Sequence, residues 1–76
     1  MIEAYVFVLT SAGTAPSIVD RIREIEGVRR ANVVAGEFDV IAEIEADSQQ
    51  DLLALVTEEI QRIDGVGRTR TSIILD

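Results

Sequence analysis

The chain has 76 residues, a net charge of −7, and neither cysteine nor histidine. That size makes one domain, near the small end of what folds alone. The composition excludes disulfide staples, thiolate metal sites and cysteine nucleophiles, together with the commonest general base and transition-metal ligand.

All seven basic residues are arginine, against fourteen acids, a balance that argues against direct DNA binding, which needs clustered cations. No apolar run approaches the roughly eighteen residues of a membrane span. Met1 leads into a strand-like pattern rather than a basic signal segment, so the expectation is a soluble cytoplasmic protein with no membrane partner. A small domain without staples commonly gains stability by oligomerising.

Residues 3–10 are rich in β-branched and aromatic side chains and read as the first strand. Ser11-Ala12-Gly13-Thr14 is a loop, with Thr14 placed to cap a helix and Pro16 suited to its first turn. That helix is predicted to run to about Glu26, with Ile18, Val19, Ile22 and Ile25 on one face and Asp20, Arg21, Arg23 and Glu24 largely off it. Residues 28–34 and 38–45 form two further strands, joined by a short hairpin turn at Ala35-Gly36-Glu37. Asp47-Ser48 opens the second helix, with Asp51 in a weak capping-box position. Leu52, Val56, Ile60 and Ile63 make its buried stripe, flanked by Leu53 and Leu55; residues 66–75 are the last strand.

Ile22-Arg23-Glu24-Ile25-Glu26-Gly27-Val28 and Ile60-Gln61-Arg62-Ile63-Asp64-Gly65-Val66 nearly repeat, half a chain length apart. Each glycine is expected to supply the left-handed conformation that stops its helix. Two similar halves in the order βαββαβ give a ferredoxin-like α+β fold, a four-stranded antiparallel sheet with both helices on one face, in a single domain over residues 1–76. The first strand is apolar on both faces: Ala4, Val6 and Val8 on one, Tyr5, Phe7 and Leu9 on the other. Two helices cover one side only, and a half-solvated sheet should alternate apolar with polar residues. Tyr5, Phe7 and Leu9 are therefore expected at a dimer interface made by the open face; the plainer alternative is a merely hydrophobic strand with its aromatics partly solvated.

Ala4-Tyr5-Val6 with Thr10, Gly27-Val28, Gly36-Glu37-Phe38-Asp39-Val40-Ile41-Ala42, and Gly65-Val66 followed by Thr69-x-Thr71 carry a family resemblance along the whole chain. It resembles the RAM module, the effector-binding C-terminal domain of the Lrp/AsnC (feast/famine) transcription regulators. Full-length members carry a helix-turn-helix domain before this module. Here Met1 precedes the first strand by two residues, so the expectation is a stand-alone RAM module. Phe38 stands where the family pattern often has tyrosine, which keeps the ring and loses a hydroxyl.

The resemblance implies a dimeric α/β barrel whose dimers assemble further, to an octamer or decamer, and an amino-acid ligand bound where dimers meet. It also implies co-assembly with full-length Lrp/AsnC regulators. The implied ligand residues are Gly36, Glu37, Phe38, Asp39, Ile41, Thr69 and Thr71. Gly36 would turn the backbone and expose N–H groups to a carboxylate. Asp39 would meet the α-ammonium, Thr69 and Thr71 would offer hydroxyls, and Phe38 and Ile41 would line the side-chain part. Each has a plainer reading: a turn glycine, a turn-bonding carboxylate, ordinary strand threonines. Arg29 and Arg30 read as solvated or ion-paired. No catalytic residue, metal or cofactor is implied. The competing readings are a small monooxygenase-like enzyme sharing the dimeric barrel, which lacks a histidine, a cysteine or a close acid/base pair here, and an ACT-like amino-acid-binding module.

Overall fold

Alternation along the strands and a three-to-four spacing along the helices sort the apolar side chains onto one shared interior. The computed structural model describes every residue, Met1–Asp76. Its elements are β1 (Ile2–Thr10), α1 (Ala15–Arg23), β2 (Val28–Val33), β3 (Val40–Ala46), α2 (Gln49–Ala54) running on into a π-helical stretch (Leu55–Ile60), and β4 (Val66–Ile73). The sheet order is β2-β3-β1-β4, every neighbouring pair is antiparallel, and the ferredoxin-like α+β expectation holds. Ala4, Val6 and Val8 of β1, Ala31 of β2, and Val40, Ala42 and Ile44 of β3 face the helices. Ile18, Val19 and Ile22 of α1 and Leu52, Val56 and Ile60 of the second helix close over them. No polar or charged residue is buried. Each fully buried branched side chain contributes about 1.5–3 kcal/mol.

The repeat folds twice into the same turn, although not as the expected helix stop. α1 ends at Arg23, and Glu24 still has right-handed backbone angles. Two successive three-residue bonds then follow, Ile25 N–H to the Ile22 carbonyl (3.0 Å) and Val28 N–H to the Ile25 carbonyl (3.2 Å). The second half reproduces them, Ile63 N–H to Ile60 (3.2 Å) and Val66 N–H to Ile63 (3.1 Å). Gly27 and Gly65 sit at φ +98° and +96°, left-handed as expected but inside the turn rather than at the helix end. A helix and a run of tight turns share the same isoleucine spacing, so the pattern alone misplaces the boundary.

The two turns are locked by each other's half. The Gly27 carbonyl accepts Glu45 N–H and the Gly65 carbonyl accepts Ser11 N–H, both at 2.8 Å. A Cβ on Gly27 would lie 2.7 Å from Leu55, and one on Gly65 would lie 2.9 Å from Ile18. Each turn therefore rests against the opposite helix.

Ser48 caps α2, its hydroxyl accepting the Asp51 N–H at 3.1 Å. Thr14 occupies the cap position of α1 without capping it: its hydroxyl donates to the Ser11 carbonyl at 2.7 Å. Pro16 takes its expected place in the first turn. Leu52, Val56, Ile60 and Ile63 are buried as the stripe predicts, with Leu55 beside them, while Leu53 is left 46% exposed.

Candidate functional site

The face of the sheet away from the helices carries side chains of opposite parity. Phe7 pairs with Ile41 on one side and Arg70 on the other; Tyr5 pairs with Glu43 and Ser72. Glu3 lies directly opposite Glu45, an arrangement that repels. Arg29 relieves it by reaching Glu3 at 2.6 Å and Glu45 at 3.4 Å, and Arg30 lies 4.0 Å from Glu43. Both arginines are thus ion-paired. Tyr5, Phe7, Leu9 and Ile41 form an apolar patch on this face, with Tyr5 40% exposed.

Residues 34–39 connect β2 to β3 as a longer loop than the expected three-residue turn, and Phe38 lies in it rather than in β3. Asp39 holds that loop to β1. Its N–H donates to the Val8 carbonyl (3.0 Å) and its carbonyl accepts Val34 N–H (2.9 Å). Its Oδ2 accepts the Thr10 N–H at 2.8 Å and the Thr10 hydroxyl at 3.3 Å. These bonds fall where the β1–β4 register shifts between Val8 and Thr10, the point at which β1 has backbone groups to satisfy. With the loop so held, the Phe38 ring lies 5.6 Å from that of Phe7, tilted by 48°, a favourable aromatic arrangement.

Between loop and open face lies a hollow of about 450 Å³. Phe7, Phe38, Val34 and Ile41 are its apolar walls; Glu37, Arg70 and Ser72 bring polar groups, and Ala35-Gly36 forms its rim. That volume and mixed lining suit a small molecule. A larger hollow, about 700 Å³, runs beside the second helix and is lined by six acids, among them Glu26, Glu45 and Asp51. Nowhere are three acids gathered closely enough to hold a metal ion.

Of the residues marked in the sequence, Gly36, Glu37, Phe38 and Ile41 come together at the smaller hollow. Gly36 lacks a left-handed φ and has no atom within 4 Å of where a Cβ would lie, so the turn itself does not demand glycine. The Asp39 carboxylate is engaged with Thr10 and lies outside the lining. Thr69 and Thr71 pair with Val8 and Val6 and share their helix-facing side. The Gln61 amide donates to the Thr69 hydroxyl at 2.7 Å. Tyr5, Phe7 and Leu9 share the open face, as their parity predicts. The sequence pattern does not single out Arg70 and Ser72, which also line the hollow. Strand alternation puts them opposite Thr69 and Thr71, but only the pairing with β1 tells which set faces the helices.

No helix is long and apolar enough to cross a membrane. Residues 3–76 match the family described as the Lrp/AsnC ligand binding domain. An uncharacterized HTH-type transcriptional regulator of Pyrococcus furiosus is 32% identical over 79% of this chain and 40% of its own length. The chain thus spans about two fifths of that regulator. A homocitrate synthase of Sulfolobus acidocaldarius is 37% identical over 78% of this chain but only 12% of the enzyme. Among solved structures, FFRP-DM1 superposes with a TM-score of 0.93 at 31% identity, covering 99% of this chain and 100% of that one. A Neisseria meningitidis transcriptional regulator in complex with L-Met shares the fold, with a TM-score of 0.87 at 18% identity over 99% of this chain and 50% of its own.

Proposed function

This chain belongs to the Lrp/AsnC family as a ligand-binding domain, and from that premise we propose that it is an oligomeric amino-acid sensor which acts by changing assembly. Its family and the regulators it matches are transcription regulators rather than enzymes, and the one enzyme named above is matched over a small fraction of its length. The observation that carries the proposal is the hollow beside the Phe38 loop: about 450 Å³, walled by aromatics, holding one cation and one acid, and open toward the bare sheet face. An amino acid is a small amphiphile with both charges, and such a lining answers each part of it.

Tyr5, Phe7 and Leu9 form the dimer contact in this reading, sheet against sheet, and Gly36, Glu37, Phe38 and Ile41 hold the ligand. Asp39 supports the ligand loop through Thr10, and Thr69 and Thr71 serve the helix-side packing. Ligand placed next to a contact between copies shifts the assembly only by its differential affinity for one assembled state. Dimers associating into an octamer or decamer, and mixed assemblies with full-length Lrp/AsnC regulators, are the states on which such a shift acts. The L-Met-bound neighbour supports an amino acid as the ligand class, and the homocitrate synthase match supports a sensing role that does not depend on DNA contact.

The test is a thermal-shift scan against the twenty amino acids at millimolar concentration. A ligand at about a hundred times its dissociation constant adds roughly 2.7 kcal/mol, which in a domain this small raises Tm by about ten degrees or more. A shift with one or a few amino acids, accompanied by a change in sedimentation, is the expected result. A flat scan with unchanged sedimentation would leave the domain as a structural partner only.

A further inference from the structure

Of the seven arginines, Arg23, Arg29 and Arg30 lie within ion-pair reach of an acid. Arg70 has no acid within that reach, yet it stands opposite Phe7 on the open face and is the only cation lining the hollow. The acid expected to meet an ammonium group, Asp39, gives its Oδ2 to Thr10 and does not line the hollow. Glu37 does, and it is the only acid that does. Glu37 makes no ion pair within the chain, with Arg70 or any other cation; the pairs present are those of Arg23, Arg29 and Arg30. Two opposite charges thus border one cavity, each without a partner inside the protein.

We propose that Arg70 and Glu37 hold the two charged ends of the bound amino acid, carboxylate on the Arg70 guanidinium and ammonium on the Glu37 carboxylate. This deepens the sensor reading and rests on it. The guanidinium fork matches a carboxylate's two oxygens, which a lysine's single ammonium cannot do. Ser72, on the same side of β4 as Arg70 and lining the same hollow, adds a hydroxyl donor to that end. Between the poles the walls are Phe7, Phe38, Val34 and Ile41. They select an uncharged apolar side chain over that of aspartate or lysine, whose charge would lose its water against rings and branched carbons. The ligand class is therefore an apolar α-amino acid recognised at both charged ends.

The test is calorimetric titration of the full chain with L-phenylalanine, L-leucine and L-methionine. Two truncated probes accompany them, 3-phenylpropanoate (no ammonium) and phenethylamine (no carboxylate). Arg70→Gln should weaken the amino acid about ten- to hundredfold and leave phenethylamine unchanged, with Arg70→Lys recovering part of the loss. Glu37→Gln should weaken the amino acid comparably and leave 3-phenylpropanoate unchanged.

If none of the amino acids binds the unsubstituted chain, the sensor reading and the assignment fall together. If one binds, but Arg70→Gln and Glu37→Gln bind it equally well, the assignment alone fails. Loss in only one of these variants removes the other pole. A change of sedimenting mass in Arg70→Gln at unchanged affinity would place Arg70 in the contact between copies and overturn its ligand role.

Discussion

Asp39 gives one carboxylate oxygen to the backbone and hydroxyl of Thr10, and its own N–H and carbonyl to Val8 and Val34. The strand it secures, β1, is one of the two that pair on both sides. Asp39→Ala should therefore destabilise the domain by about 1–2 kcal/mol, since the Thr10 N–H loses a charge-assisted acceptor in a partly buried place. Urea unfolding measures this directly; an unchanged midpoint would mean that water replaces the carboxylate without loss. The family resemblance, not the residue types by themselves, implies a ligand at this loop, and four of the seven residues it implies (Gly36, Glu37, Phe38 and Ile41) line the hollow. Residue types do not tell a carboxylate facing a ligand from one facing a neighbouring backbone amide, because both uses want an acid beside a turn.

The strand–helix–strand units explain why the architecture was readable and where it was not. Alternation in β1 and β3 and the spacing of Ile18, Val19 and Ile22 are long-range patterns that report buried faces. They survive in the structure. Boundaries rest on single hydrogen bonds, and the same isoleucine spacing serves a helix and the tight turns that follow it. The stretch Leu55–Ile60 was invisible for a related reason, since a π-helical turn uses the same residue types as an α-helical one.

The glycines sharpen this into a prediction. Gly27 combines a φ of +98° with a Glu45 carbonyl 3.0 Å from any added Cβ, a backbone atom that cannot swing aside. Gly27→Ala should cost at least about 2 kcal/mol. Gly36→Ala, with open space and no left-handed angle, should fall within about 0.5 kcal/mol of the parent. Paired thermal melts decide it; equal losses at the two sites would refute the left-handed turn at Gly27.

For the molecule as a whole, the decisive property is a sheet finished on one side. Phe7, Leu9 and Ile41 have no cover from the chain's own helices, while the rim charges of Glu3, Glu45 and Arg29 are mutually satisfied. An uncovered apolar patch beside ion-paired charges is how a surface between copies is built. The unsubstituted chain should sediment as a dimer or larger at micromolar concentration. Phe7→Glu should shift it to the monomer while keeping its circular dichroism, because the helix-side core lies on the other face. A monomeric parent would remove the premise. The hollow on this face is only half legible in the sequence because it combines a loop with residues of three strands. Which of Thr69, Arg70, Thr71 and Ser72 faces it depends on a register that no local pattern records.

The exchange between the two turns carries a consequence for how the domain is made. Gly27 in the first half is held by Glu45 and Leu55 of the second, and Gly65 in the second by Ser11 and Ile18 of the first. Neither half can complete its own turn alone. Folding should then pass a single barrier without a populated half-formed species. The amides of Ser11 and Glu45, though far apart in the chain, should exchange with solvent at the same slow rate, released only when the whole molecule opens.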